Sequence, residues 1–216
     1  MSFLTDIRRA ASTGLARLSF QDRTELLHRI EACRLSSGLF PGLDGEPDWY
    51  YTFFAELILQ SKRAFPDKPT PVGPVDRLCA AILRRQYAPT VYLRISYPYN
   101  LFLLLLRLPW FPPMPIFPAG ETAPRLAIAT LAGNRKAGEK LRRLMRADGS
   151  FSVSFRADEH DLLSTAVARF ALVRQMSLPA FDPESCRTPD GLYGARPGLS
   201  KGDIEYTFYA LLALGV

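Results

Sequence analysis

A motif that recurs three times constrains the fold of this 216-residue chain more than any other feature of its sequence. The three copies occupy residues 38–59, 148–172 and 190–214, and each has a glycine at its first or second position that an aromatic residue closely follows. A polar loop comes next, and then the pattern Asp-x-x-(Tyr/Ser)-Thr-x-x-Ala opens an apolar helix. Recurrence of this kind is typical of architectures in which each unit buries its apolar face only against neighbouring units.

An aspartate stands at the start of each apolar helix of the motif, as Asp48, Asp161 and Asp203. Its carboxylate can accept hydrogen bonds from the free backbone N–H groups of the first turn, and it complements the positive end of the helix macrodipole. The glycine permits the turn that brings the loop back, and the aromatic residue two positions later can fold over the helix. These helices are apolar over most of their circumference, which indicates an inner layer covered by other helices.

The rest of the chain shows helical rather than strand periodicity. Apolar residues at helical spacing predict helices over residues 3–18, 21–34, 48–62, 75–87, 98–108, 161–176 and from 203 onward. Residues 122–146 predict either one helix broken near Gly133 or two short ones, and Arg84 is predicted to face outward from its helix. Because we find no convincing strand alternation, we predict a single all-α domain over residues 1–216.

The most apolar part of the chain lies near its middle. The run at residues 101–106 is far shorter than the roughly 20 residues that a transmembrane helix needs, so no transmembrane span is predicted. The following segment, 109–120, contains five prolines and therefore cannot form a regular helix. We predict that it is either a covering loop or an exposed apolar patch.

Charge and cysteine content restrict the classes of partner and the compartment. The formal net charge of +6 is modest, and it could steer anionic molecules such as diphosphates or acidic lipids. The sequence shows no nucleic-acid-binding motif, so nucleic acid is not a predicted partner. Cys33, Cys79 and Cys186 are widely spaced and odd in number, which predicts neither a disulfide framework nor a metal knuckle. We predict a cytoplasmic protein, with peripheral contact to a membrane left open.

The three segments resemble the repeats of protein prenyltransferase β subunits and of squalene-hopene and oxidosqualene cyclases. The third segment, GLYGARPGLSKGDIEYTFYALLAL, is most similar to the prenyltransferase form. The resemblance implies an αα-toroid that encloses an apolar cavity for an isoprenoid chain. The resembling families close their toroids with more helices than we predict here. The ring is therefore expected to be incomplete or open, or to be completed by a partner chain or a second copy.

The resemblance implies a diphosphate site in the loop of the third repeat. Arg196 and Lys201 are the candidate cations for a diphosphate, because a developing charge on such a group needs cationic donors. Asp203 matches the aspartate that binds zinc in prenyltransferases, but Glu205 stands where that family has its zinc-binding cysteine. We therefore predict no metal site of the family kind, although Mg²⁺ would accompany a diphosphate substrate. The alternative role of Asp203 is a helix cap.

A second candidate acid and a set of aromatic residues complete the predicted site. Asp161 ends the run Asp-Glu-His-Asp, which departs from the Asp-x-Asp-Asp motif of the cyclases at His160. Asp161 is a candidate acid if burial raises its pKa, and a helix cap otherwise. Four aromatic residues are candidates for lining an isoprenoid cavity, where ring faces stabilise carbocations, or else for ordinary core packing: Tyr51, Phe54, Tyr206 and Tyr209.

These features lead to two principal functional hypotheses. The first is an isoprenoid-handling enzyme of prenyltransferase-like or terpene-cyclase-like type that binds its substrate in a helical cavity, and we favour it on the near-complete third repeat. The second is a non-catalytic toroid-fold module that binds a lipid or a protein and has lost the family's catalytic residues. An enzyme of unrelated chemistry that reuses the fold is a third reading, because fold does not determine function.

Overall fold

A computed structural model describes residues 3–61, 65, 69–84 and 121–216 of the chain. The described part is predominantly helical, as predicted. Its eight α-helices are α1 (Phe3–Arg17), α2 (Phe20–Ala32), α3 (Trp49–Leu59), α4 (Pro74–Leu83), α5 (Ala123–Leu131), α6 (Arg135–Arg142), α7 (Leu162–Leu172) and α8 (Ile204–Leu214). A short 3₁₀ helix, Pro183–Cys186, precedes the loop of the third repeat.

The repeated motif folds in a similar way in its three copies, and the third copy illustrates it. Gly191 has a φ of 81°, a left-handed conformation that favours glycine, and the Tyr193 side chain two residues later is buried. The Tyr193 N–H donates to the hydroxyl of Thr207 at 3.0 Å, and this hydroxyl donates to the carbonyl of Asp203 at 2.6 Å. The threonine of the motif therefore ties the loop to the helix that follows it.

The other two copies preserve the bond from the aromatic residue to the threonine, and in the first copy the Thr52 hydroxyl also donates to the carbonyl of Asp48 at 2.6 Å. The Phe40 N–H donates to the Thr52 hydroxyl at 2.9 Å, and the Phe151 N–H donates to the Thr165 hydroxyl at 3.1 Å. The glycines two residues before these aromatic residues have φ values of 83° and 78°. The predicted roles of the glycine, the buried aromatic residue and the capping aspartate are confirmed at this level of detail.

Two small hairpins accompany the helices and are compatible with the predicted all-α class. Strand β1 (Phe40–Pro41) pairs antiparallel with β2 (Pro47–Asp48), and β3 (Ser152–Ser154) pairs antiparallel with β4 (Ala157–His160). They lie in the loops of the first and second repeats. Strands of two to four residues are too short to show an alternating pattern, which is why the sequence did not reveal them.

The repeat helices do not pack in the order in which they occur along the chain. Helix α8 contacts both α3 and α7, so the third repeat lies between the first and the second. The Phe54 and Phe208 rings, with centroids 5.0 Å apart, join α3 to α8. On the other side of α8, the Arg169 side chain of α7 donates to the carbonyl of Ala213 at 3.1 Å. The array continues from α7 to α5 and from α5 to α6.

Helix α1 packs closely across α8. A Cβ atom at Gly14 would lie 1.9 Å from the carbonyl oxygen of Leu211, and one at Gly215 would lie 1.7 Å from the carbonyl oxygen of Ala10. The backbones therefore approach each other more closely than any side chain at these positions would allow. The arrangement brings residues near the two ends of the chain together.

A buried arginine holds the end of α8 in place. Arg169 is 3% exposed, and its hydrogen-bond acceptors among the described residues are main-chain oxygens. Besides Ala213, it donates to Gly149 at 3.1 Å, to Pro179 at 2.9 Å and to Val216 at 3.4 Å. Burial lowers the pKa of this guanidinium to about 10. One side chain thus joins the loop of the second repeat to the C-terminal turn of the third.

The helix ends differ from the predicted ones in several places. Helix α4 ends at Leu83, and Arg84 is not directed outward: its guanidinium lies 4.5 Å from the centroid of the Trp49 ring. Helix α7 ends at Leu172, four residues earlier than predicted. Residues 122–146 form two helices, α5 and α6, separated by Gly133, in agreement with one of the two alternatives. The predicted helix at 98–108 and the proline-rich segment at 109–120 lie outside the described residues.

The helices of the described part are short. None of them has the length and apolar character that crossing a lipid bilayer requires.

Candidate functional site

Three repeat helices begin at the same end of the array. Tyr50 and Glu205, each in the first turn of its helix, are hydrogen-bonded to each other, so α3 and α8 run parallel. The N–H of Leu162, the first residue of α7, donates to the carbonyl of Ala195 in the loop that leads into α8. The hairpins and loops that precede these helices therefore lie together, and we call this region the loop end.

Each helix at the loop end is capped by the aspartate of its motif. Asp48 accepts from the N–H groups of Tyr50 and Tyr51 at 2.7 and 2.9 Å. Asp161 accepts from the N–H of Ser164, and Asp203 accepts from the N–H of Tyr206 at 2.8 Å. The capping role that was the alternative for Asp161 and Asp203 is thus present in the structure.

A shallow cleft of about 440 Å³ opens between the second and third repeats at the loop end. It lies beside the start of α7, where the β4 strand approaches the loop that contains Arg196. The residues that line it are Glu159, His160, Arg196, Pro197, Gly198 and Leu199. Of the residues predicted for the site, Arg196 lines this cleft and Asp161 directly follows one of its lining residues.

The two predicted cations occupy different surroundings. The Arg196 side chain is 60% exposed, and its guanidinium lies 3.4 Å from the carboxylate of Glu159, which is more exposed still. Lys201 is also exposed, but it is not part of the cleft lining. Its charge helps to lower the pKa of Asp190, whose carboxylate accepts from the N–H of Gly202. The structure therefore supports only Arg196 as a cation of this cleft.

The carboxyl of Asp161 has a perturbed pKa. Burial raises the pKa of its carboxyl above the usual value, and this effect outweighs the hydrogen bonds from Ser164 and the nearby His160, which act in the opposite direction. A carboxyl with a raised pKa beside a cleft matches the environment predicted for a catalytic acid. The same carboxyl is occupied in capping α7.

Glu205, in the first turn of α8, forms a hydrogen bond with another repeat helix. Its carboxylate is buried and accepts a hydrogen bond of 2.6 Å from the hydroxyl of Tyr50. The sequence prediction did not include this pair. The sequence does contain one sign of the pair. Helices α3 and α8 are strongly apolar, yet each has a polar side chain, Tyr50 or Glu205, in its first turn.

The predicted cavity-lining aromatic residues lie mainly in the core. The Tyr51, Phe54 and Tyr209 side chains are buried, whereas Tyr206 is partly exposed. The Phe54 ring packs against Tyr50 at 4.8 Å and against Tyr209 at 5.7 Å, measured between centroids. Tyr206 and Tyr209 form a further pair at 6.2 Å. These contacts match the core-packing alternative at the junction of α3 and α8.

A metal centre finds no support in the described part of the chain. There, no group of three or more His, Cys, Asp and Glu side chains is close enough to hold an ion. The three cysteines do not form disulfides, and burial raises the pKa of each thiol. The cysteines are therefore structural residues with little thiolate character.

No protein-family model matches the chain, and no curated protein and no solved structure is significantly similar to it. A function can therefore be inferred only from the chain's own sequence and geometry.

Proposed function

We propose that the protein is a non-catalytic helical-repeat module that binds an isoprenoid or a similar apolar molecule with an anionic head group. The observation that carries this proposal is the use of the candidate catalytic carboxylates for structure. Asp161 and Asp203 cap helices, and the Glu205 carboxylate accepts from Tyr50. A carboxylate with one oxygen held in a hydrogen bond of this kind has fewer lone pairs left for a substrate proton or a metal ion.

The cleft at the loop end supports recognition of the head group. Arg196 supplies a permanent positive charge at its edge, and His160 supplies an imidazole. The start of α7 lies beside the cleft and adds the positive end of a helix dipole. Because the pair between Arg196 and Glu159 is exposed, it is worth at most about 1 kcal/mol, and a phosphate could displace Glu159 at little cost.

Binding and turnover can be measured on the same samples. The protein is mixed with farnesyl diphosphate, geranylgeranyl diphosphate or squalene, with and without Mg²⁺ or Zn²⁺, and binding is followed by calorimetry while products are analysed by chromatography. We expect binding of the two diphosphates without turnover. Arg196→Gln should weaken this binding about tenfold, because it removes one charge-assisted contact.

Arg156→Gln provides the matched control, since Arg156 is an exposed arginine on the neighbouring hairpin that does not line the cleft. It should leave the affinity unchanged. The absence of diphosphate binding, or an equal loss in the two variants, would contradict the proposed cleft. Product formation would contradict the non-catalytic assignment.

A second candidate function, the isoprenoid-handling enzyme, is favoured by the raised pKa of the Asp161 carboxyl. An acid with a raised pKa next to a cleft is the feature that protonation of an alkene requires. Asp161→Asn retains the cap but removes the acidic proton, so it should abolish any turnover. Asp203→Asn makes the same change at the neighbouring cap and should preserve it. Turnover that survives Asp161→Asn would exclude Asp161 as the acid.

A further inference from the structure

The positive charge of the chain is concentrated in one short segment. Residues 135–146 contain six basic residues and one acidic residue, Glu139, which gives a net charge of +5. The whole chain carries +6, so the remaining residues nearly balance one another. This segment is helix α6 with the turn that follows it.

Helix α6 presents most of these charges to solvent. It buries Ala137, Gly138 and Leu141 against its neighbours, and these three positions lie on one side of the helix. The other side is exposed, and we call its four basic residues the basic face: Arg135, Lys136, Arg142 and Arg143. The orientation of the helix is therefore determined by its small apolar side, which directs the charges outward.

The basic face is not neutralised within the described part of the chain. There, Arg135, Lys136 and Arg143 form no salt bridge, and Arg142 donates only weakly to Gln175 at 3.3 Å. Lys140, at the border of the face, does pair with Glu121. Glu139 lies three or four residues from each of the four basic residues, so this side of the helix keeps a net charge of +3.

Exposed apolar residues lie next to the basic face. Leu131, at the end of α5 just before α6, is 38% exposed, and Val173, just after α7, is 39% exposed. The segment after α7 contacts α6, because Gln175 approaches both Gly138 and Arg142. A surface on which arginine and lysine adjoin exposed aliphatic residues is typical of proteins that dock on lipid head groups.

This surface is separate from the cleft at the loop end. The cleft adjoins the first residue of α7, whereas Val173 and Gln175 follow its last residue. An eleven-residue helix is about 16 Å long, so the two regions lie at opposite ends of α7.

We propose that the basic face docks the protein on an anionic phospholipid surface. This proposal rests on the proposed function in one respect, because an apolar isoprenoid ligand is found in membranes. The charge of the face complements acidic head groups, and each lysine or arginine near such a surface contributes about 1 kcal/mol. Leu131 and Val173 would enter the interfacial region beside these charges.

A membrane fits this surface better than a nucleic acid does. Phosphate contacts to a duplex come from polar and basic side chains, and exposed aliphatic residues contribute nothing to them. The same aliphatic residues gain free energy when they leave water for the interface of a bilayer. Binding to a DNA duplex is therefore an outcome that the experiment must test.

The experiment compares two triple variants of the full chain by sedimentation with vesicles. The first, Arg135→Gln, Lys136→Gln and Arg143→Gln, removes three charges from the basic face. The second, Arg8→Gln, Arg77→Gln and Arg156→Gln, removes three exposed charges elsewhere and is the matched control. The vesicles consist of phosphatidylcholine alone or of phosphatidylcholine with phosphatidylserine, and circular dichroism checks that both variants are folded.

We expect the unmodified protein to bind only the vesicles that contain phosphatidylserine and to dissociate as salt concentration rises. The first variant should bind about 100-fold more weakly, and the control should remain within about threefold of the unmodified protein. Equal losses in the two variants, no binding at low salt, or tighter binding to a DNA duplex would each overturn the proposal.

The outcome is independent of the head-group cleft. Diphosphate binding in the absence of vesicles should be unchanged in the first variant, because α6 lies away from the cleft. Loss of vesicle binding with intact diphosphate binding would therefore support the basic face alone. A protein that binds vesicles but no diphosphate would retain this proposal and contradict the proposed function.

Discussion

The hydroxyl of Tyr50 lies 2.6 Å from the carboxylate of Glu205, and this hydrogen bond joins the first repeat helix to the third in a buried setting. Tyr50→Phe keeps the ring and removes the donor, so the carboxylate loses a charge-assisted hydrogen bond. We expect the free energy of unfolding to fall by about 2 kcal/mol. Urea denaturation measures this change. Glu205→Gln retains an acceptor oxygen, and it should cost less than Tyr50→Phe.

The threonine hydroxyls of the repeats should contribute more to stability than their size suggests. Thr207→Val preserves the shape of the side chain, but it leaves the buried N–H of Tyr193 without its acceptor and removes one of the two hydrogen bonds to the carbonyl of Asp203. We expect a loss of about 2 kcal/mol in the free energy of unfolding, measured by urea denaturation. Thr130→Val is the control, because the Thr130 hydroxyl donates only to the carbonyl one turn earlier. A comparable loss at both positions would contradict the idea that the threonine of the motif stabilises the fold by tying its loop to the helix.

The close approach of α1 and α8 makes Gly14 intolerant of substitution. Gly14→Ala would place a Cβ atom 1.9 Å from the carbonyl oxygen of Leu211. We expect the melting temperature to fall and the free energy of unfolding to drop by at least about 2 kcal/mol, although alanine favours an isolated helix by about 1 kcal/mol. In α6, Gly138→Ala meets only the movable ends of side chains, the nearest at 3.2 Å, and it should be neutral or stabilising. Equal effects at the two glycines would rule out the steric explanation.

The stability contribution of Asp161 should depend on pH in the direction set by burial. The pKa of this carboxyl is raised in the folded protein, so the ionised form is less favourable there than in the unfolded chain. The contribution of Asp161 to stability is therefore complete below the pKa of the unfolded chain. It decreases as the pH rises through the pKa of the folded protein. Asparagine caps as well as aspartate does and carries no charge. Asp161→Asn should therefore equal or exceed the unmodified protein in unfolding free energy at neutral pH, and lose this advantage as the pH falls toward 4.

The contribution of Asp190 to stability should depend on pH in the opposite direction. Urea denaturation at a series of pH values measures the unfolding free energy of both the Asp161 and the Asp190 variants. Burial acts to raise the pKa of Asp190, but hydrogen bonds from Thr188, Leu192 and Gly202 outweigh it, and the pKa is lowered overall. Its stabilisation is present above the unfolded pKa and is lost as pH falls through the folded value. Asp190→Asn should thus be most harmful at neutral pH. Parallel curves for the two variants would contradict both assignments.

Local features of the fold were predictable from the sequence, because neighbouring residues determine them. The capping aspartates, the glycine turns and the recurring threonine all act within about 15 residues of one another. Long-range relationships were not predictable. Nothing in one sequence indicates that Tyr50 meets a carboxylate 155 residues away, or that Arg84 stacks on Trp49 instead of facing water.

Only part of the candidate site was predictable, because the rest of it depends on long-range packing. The loop that contains Arg196 was identified from its resemblance to a known repeat, but the contribution of Glu159 and His160 to the same cleft depends on how the second and third repeats pack. The aromatic residues of α3 and α8 stand out in the sequence as a group. Whether they enclose a cavity or fill a core depends on distances between helices, which the sequence does not contain.

The position of α8 between α3 and α7 has a consequence for biosynthesis. The ribosome produces α3 and α7 before α8, so the apolar sides that these two helices turn toward α8 have no partner while the chain is being elongated. The core of the described part therefore becomes complete only after residues 204–214 have emerged. Until then the nascent polypeptide exposes Phe54 and its aromatic neighbours, a surface that chaperones recognise.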